Sequence, residues 1–171
     1  MSCPPRPRVP IEVEAGFLIP LTRGHFALVD TQDVARVNQW RWQSSGLYAY
    51  RQIKLPDGRR RVFYMHRMII SAPLSVDVDH INRNRLDNRR SNLRRATPGQ
   101  NAMNRPAPCT NTSGFRGVHL NANGDWNAML GIAGDKIYLG HFATPLEAAR
   151  AYNEAALKHF GEFAFLNEVE G

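Results

Sequence analysis

Cysteine is almost absent: Cys3 and Cys109 are the only two in 171 residues. That count excludes a disulfide framework and a four-cysteine zinc scaffold. Long apolar runs are also missing, and nothing approaches the roughly 20 residues of a membrane span. Residues Met1 to Pro10 lack the apolar stretch of a signal peptide, so the expectation is a soluble, cytoplasmic (intracellular) protein without a membrane partner. Acidic residues are scarce in the first two-thirds. Residues 1–112 carry 18 Lys+Arg against 8 Asp+Glu, a net of +10, whereas residues 113–171 carry 4 against 7, a net of −3. A basic excess confined to one region is the electrostatic footprint of a nucleic-acid partner.

What is present is concentrated around Asp79-His80. Val76 and Val78 alternate with Asp77 and Asp79, which predicts a half-buried strand ending at the acidic residue, with His80 at its mouth. The polar stretch from Asn82 to Arg90 reads as a loop, and Leu93-Arg94-Arg95-Ala96 as the returning strand of a hairpin. Thr97 is a good N-cap, Pro98 suits the first helical position, and Gln100 lies three residues after the cap, so a helix is predicted to start there with Asn101 in its first turn. A strand pair closed by a helix can aim a carboxylate and an amide oxygen at one cation, with an imidazole beside it. Hydrolysis of a phosphodiester needs that minimum: a divalent cation to neutralise charge and a base to activate water.

Alone, an Asp-His pair reads as a surface turn; the Asn92-Leu93-Arg94 return, the helix cap and Asn101 change that reading. These residues resemble the HNH endonuclease family, in its phage-type homing variant where asparagine replaces the last histidine, over about His66 to Asn104. The resemblance implies a ββα-metal unit in which Asp79 and Asn101 hold the metal, with Asn104 as the rival ligand. It also implies that His80 is the general base and that Asn92 braces the loop and orients the imidazole. One certain anionic ligand in an oxygen-rich site favours magnesium, with manganese as its substitute, over zinc. Family precedent implies 5′-phosphate and 3′-hydroxyl products. Asp87 and Asn88 read as loop-capping residues, and His66 is assigned no chemistry. Arg83, Arg85, Arg89, Arg90 and Arg94 flank the site and are expected to track phosphates of double-stranded DNA.

The flanking regions complete an α+β chain. Residues 1–10 are expected to be disordered, and 11–105 to form the endonuclease domain with a β-rich N-terminal scaffold. That scaffold shows a Phe26–Val29 strand, a short helix capped by Thr31, and a hairpin (residues 47–54 and 60–64) around Asp57-Gly58. Trp40 and Trp42 are expected in the core. Residues 106–112, with Pro106 and Pro108, read as a linker. Three strands then follow at 115–120, 126–132 and 136–142, and the capping box Thr144-Pro145-Leu146-Glu147 opens a helix that Gly161 ends.

This three-stranded antiparallel sheet on one helix, written Phe115-Arg116-Gly117-Val118, Tyr138-Leu139-Gly140 and Ala148-Ala149-Arg150-Ala151-Tyr152, resembles the plant ethylene-response-factor type of DNA-binding domain over 113–167. The resemblance implies that Arg116, His119, Asn121, Met129, Gly131, Lys136 and Tyr138 face DNA. The resulting expectation is a small modular, metal-dependent DNA endonuclease that nicks with site preference, as homing enzymes of a phage or bacterial host do. It is expected to act as a monomer, or as a homodimer where both strands are cut. The rival reading is a non-catalytic DNA-binding regulator built on a degenerate HNH unit.

Overall fold

The computed structural model describes residues 9–108 and 111–169. Most of the expected disordered N-terminus, part of the expected linker and both cysteines lie outside the described residues. The chain divides into two compact units, Met1–Thr97 and Pro98–Gly171. Both helices and antiparallel sheets are present, consistent with the α+β class.

The first unit opens with a meander of β1 (Ile11–Val13), β2 (Gly16–Pro20) and β3 (Phe26–Val29), followed by helix α1 (Thr31–Val37). Its N-cap is Asp30 rather than Thr31. A second sheet contains β4 (Gln43–Ser44), β5 (Ala49–Lys54) and β6 (Arg60–Tyr64), with β5 and β6 joined through the Asp57-Gly58 turn. Helix α2 (Met65–Ile69) leads to a two-stranded hairpin, β7 (Asp77–His80) with β8 (Leu93–Ala96). Trp42, Met65, Ile69, Val78 and Leu93 share one apolar core with Ile19, Val29 and Val37, so the hairpin is anchored in the same core as the meander. Trp40 departs from expectation. It is 41% exposed and lies under the Arg51 guanidinium, 3.7 Å from ring centroid to cation, a cation–π arrangement rather than core packing.

The β7–β8 loop is tied to this scaffold far along the chain. Leu28 donates its N–H to the Leu86 carbonyl at 2.8 Å, and Asn88 donates to the Leu28 carbonyl at 2.7 Å. Arg90 then binds Asp33 of α1 through both Nε and Nη2 at 2.7 Å, and its backbone N–H reaches Asp30 at 2.7 Å. A loop too polar to bury itself is thereby held by β3 and α1.

The second unit begins with α3 (Pro98–Met103), starting at the expected proline. β9 (Val118–Leu120), β10 (Trp126–Ile132) and β11 (Asp135–Phe142) form an antiparallel sheet in the order β11-β10-β9, backed by α4 (Pro145–Phe160). The Thr144–Glu147 capping box is reciprocal, as expected, and Gly161 is the C-cap. Ala128 and Leu130 face α4 at zero exposure, with Ala149, Tyr152 and Ala156 against them. Gly117 adopts φ +76° beside this core, where an added Cβ would run into the Tyr152 ring and the Met129 carbonyl. Gly117→Ala is therefore expected to cost about 1–3 kcal/mol from overpacking alone, with backbone strain added. A lowered urea midpoint of the full chain checks it.

Candidate functional site

The hairpin register places Asp79 opposite Arg94 and His80 opposite Leu93. Successive strand residues face opposite sides, so the Asp79 carboxylate shares a face with Arg94, and the His80 ring shares the core side with Leu93. Arg94 donates Nε and Nη2 to Asp79 Oδ2 at 2.9 and 2.7 Å, and the two side chains are only 11% and 6% exposed. Arg94 was expected on a phosphate track. Its guanidinium instead compensates the buried carboxylate, which without a partner would carry a desolvation cost of several kcal/mol.

His80 is 4% exposed. Its Nε2 lies 3.3 Å from Asn88 Oδ1, and Asn88 Nδ2 is committed to the Leu86 carbonyl at 3.2 Å. Asn88 therefore accepts, His80 Nε2–H donates, and a neutral ring carries its lone pair on Nδ1. Burial pushes the imidazole below its ordinary 6.5, against the Asn88 hydrogen bond and the Asp79 charge, which favour the cation. The ring also meets His66 edge-on at 5.1 Å and Tyr48 at 6.1 Å. His66 is pushed down to about 3 by burial, then by the neighbouring His80 and Arg67, and its Nδ1 has no hydrogen-bond partner among the described residues.

Asn92 braces the loop. Its Oδ1 accepts from the Asn82 N–H and its Nδ2 donates to the Asp87 carbonyl, both at 2.8 Å. Contact with the imidazole comes from Asn88, a residue read from the sequence as a loop cap. Asp87 accepts from Arg89 Nε and Nη2 at 2.9 and 2.7 Å and from Asn82 Nδ2 at 2.8 Å. Burial raises the Asp87 carboxyl, but these bonds outweigh it and hold the group below the usual carboxylate range. Arg89, Arg90 and Arg94 thus each bind a buried acidic residue, Asp87, Asp33 and Asp79. Arg83 and Arg85 remain exposed on the loop, with Arg85 5.0 Å above the Tyr48 ring. The involvement of His66, Tyr48 and Asn88 had no local signal, because the contacts depend on tertiary packing.

Asn101 and Asn104 belong to the second unit. Asn101 is half-buried on α3 and its side chain has no hydrogen-bond partner among the described residues, whereas Asn104 is buried just past the helix end. No group of three or more His, Cys, Asp or Glu capable of holding a metal exists among the described residues. Asp79 in the first unit and the amide oxygens of Asn101 and Asn104 in the second are oxygen donors of the kind a hard divalent cation takes.

On the sheet of the second unit, His119, Lys136 and Tyr138 are all exposed. His119 pairs with Asn127, Tyr138 with Met129 and Lys136 with Gly131, which puts them on the face opposite α4. The Tyr138 hydroxyl is 3.5 Å from both Asn127 Oδ1 and His141 Nδ1. Arg116, Gly117, His119, Met129, Gly131, Lys136 and Tyr152 line a cavity of about 180 Å³. The Arg116 guanidinium, however, points its donors at the carbonyls of Ala102, Met103 and Arg105.

A family model described as HNH endonuclease matches residues 60–103, the span from β6 through α3. An uncharacterized HNH endonuclease of Acanthamoeba polyphaga mimivirus is 31% identical over 151 residues, covering 86% of this chain and 78% of that protein. APETALA2-like protein 2 of Oryza sativa is 50% identical over 58 residues, 33% of this chain and 13% of that protein. An AP2-like ethylene-responsive transcription factor of Arabidopsis thaliana is 35% identical over 79 residues, 46% of this chain and 23% of its own length. No solved structure matches. No helix among the described residues is long and apolar enough to cross a membrane.

The depressed basicity of His66 sets a pH dependence. Its folded value of about 3 lies below the ordinary 6.5, so its contribution to stability is present above pH 6.5 and is lost as pH falls toward 3. Denaturation midpoints of the full chain are expected to fall through this window with a slope of about 1.4 kcal/mol per pH unit from this group, flattened in His66→Phe. Equal slopes for both proteins would refute the assignment.

Proposed function

The chain belongs to the HNH endonuclease family, and we propose that it is a divalent-metal-dependent DNA endonuclease of the homing type that nicks with site preference. The observation that carries this reading is the buried Asp79-His80 pair at the end of β7, with the basicity of His80 lowered by burial. In this reading β7, β8 and α3 are the ββα-metal element. Asp79 and Asn101 hold the cation, with Asn104 as the rival ligand, and magnesium is the ion that fits, manganese its substitute. When bound, that ion supplies charge neutralisation at the scissile phosphate.

The chain's own groups do the rest. His80 takes a proton from water at Nδ1 while Asn88 holds the Nε2–H side of the ring; the hydroxide attacks phosphorus and the P–O3′ bond breaks, the 3′ oxygen taking up a proton from solvent. Asn92 keeps the loop closed around Asn88. Arg94 competes with any cation for the Asp79 carboxylate, so the free protein is expected to bind metal weakly. Arg83 and Arg85, exposed on the loop, are read as the phosphate contacts, while Arg89 and Arg90 shape the loop through Asp87 and Asp33. The second unit is read as a DNA-reading domain, with His119, Lys136 and Tyr138 on the open sheet face. One site per chain makes a monomer a nicking enzyme, and cutting both strands requires a homodimer.

A plasmid-nicking assay with and without magnesium tests the proposal. His80→Ala is expected to lose on the order of 100-fold or more in rate with DNA binding nearly intact. Equal nicking by the two proteins overturns the catalytic assignment. Asp79→Ala is expected to abolish activity more completely than Asn101→Ala, because only the carboxylate supplies formal charge; a crippled Asn104→Ala beside a mild Asn101→Ala reassigns the ligand. The acid limb of kcat/KM is expected below pH 6.5, since a base with lowered basicity stays neutral at lower pH than a free imidazole.

A further inference from the structure

We propose that Arg116 is a positioning residue for the endonuclease reaction: it clamps the C-terminal end of α3 and so fixes the helix that carries Asn101. The inference rests on the reading of Asn101 as a metal ligand, and adds a role for the second unit that DNA reading does not include.

Helix α3 is six residues long, with Pro98 and Gly99 in its first turn and no basic residue in its last. A helix this short is unstable by itself, and its final carbonyls have no intrahelical donors. Arg116 supplies donors here, beside the Arg105 N–H that reaches the Ala102 carbonyl at 3.4 Å. Nη1 donates to the Met103 carbonyl at 2.6 Å and to that of Arg105, and Nη2 donates to the Ala102 carbonyl at 3.4 Å. A cation at the C-terminal end also complements the helix dipole. From the other side Met103 packs against Leu130, Tyr152 and Phe160, so both the end and one face of α3 are held by the sheet-and-helix core.

The clamp is itself fixed. Arg116 N–H donates to Asn167 Oδ1 at 2.7 Å, and Asn167 Nδ2 donates back to the Arg116 carbonyl at 3.1 Å. Asn167, 6% exposed, is held by Asn153 of α4 through a reciprocal pair of 2.8 and 2.9 Å. The Arg116 guanidinium lies 5.8 Å from the Phe165 ring. A continuous path therefore runs from α4 through Asn167 and Arg116 to α3, within one compact unit. An arginine whose donors meet three backbone carbonyls is built to hold protein. Base reading on this sheet then falls to Lys136, His119 and Tyr138.

The test compares full-length protein with Arg116→Ala, Arg116→Lys and Lys136→Ala by amide hydrogen exchange and by magnesium titration of plasmid nicking. Arg116→Ala is expected to speed exchange at residues 99–105 while α4 stays protected. It is also expected to raise the magnesium concentration for half-maximal nicking about tenfold and lower kcat with the KM for DNA unchanged, the size seen for groups that orient metal ligands. Arg116→Lys should restore part of both effects, and it serves as the reading if the alanine variant does not fold. Lys136→Ala should raise KM and leave exchange in α3 alone. Unchanged exchange at 99–105 in Arg116→Ala overturns the clamp, as does a raised KM with lost site pattern and an unaltered magnesium requirement. Asn101→Ala in the same titration separates the two readings. If it is crippling while Arg116→Ala is silent, only the clamp fails; if it is silent, the ligand assignment fails and the positioning role with it.

Discussion

A carboxylate that is nearly out of contact with water must have a cation beside it, and for Asp79 that cation is Arg94. The pair sits directly across the hairpin, and this has a structural effect beyond neutralisation. A slip of one residue between β7 and β8 would move Arg94 to the opposite face from the carboxylate and bury both charges unpaired. The register is thereby specified, and with it the position of His80 against Leu93. Buried ion pairs are weak contributors to net stability, since desolvation offsets most of the attraction. Here the pair adds to the register that burial of Val78 and Leu93 imposes on the hairpin.

The first unit's N-terminal sheet serves the same end. By itself a two-stranded hairpin with a long polar loop is marginal. Val78 and Leu93 enter the core built by Ile19, Val29, Val37 and Trp42, and the loop is stitched to β3 and α1. The surroundings of His80 then follow from packing: Tyr48 and His66 exclude water from one side, and Asn88 orients the ring from the other. Basicity is tuned by burial, and geometry by a single amide.

Local order was legible in the sequence. The Asp57-Gly58 hairpin, the Leu93–Ala96 strand, the helix start at Pro98 and the Thr144 capping box all announce themselves within a few residues, because turn chemistry and periodicity are short-range signals. The strand ending at Asp79-His80 was legible for the same reason. What escaped reading was set by distance along the chain. Nothing local marks Arg90 as the partner of Asp33, Arg94 as the partner of Asp79, or Arg116 as a donor to the α3 carbonyls. A run of arginines looks the same whether it faces phosphate or internal carboxylates. The β1–β2 strands were missed because they are short and partly exposed, and Trp40 was misjudged because an aromatic can stay on the surface with one face under a guanidinium.

The ties between the β7–β8 loop and the N-terminal scaffold join residues 57 and 60 positions apart. Closing loops of that length costs entropy before any contact is gained, and such contacts form late in folding. The loop that carries Asn88 therefore cannot settle around His80 until β3 and α1 exist. A nascent or partly unfolded chain holds Asp79, His80 and Asn88 and none of their arrangement, so this geometry exists only once the N-terminal scaffold has folded.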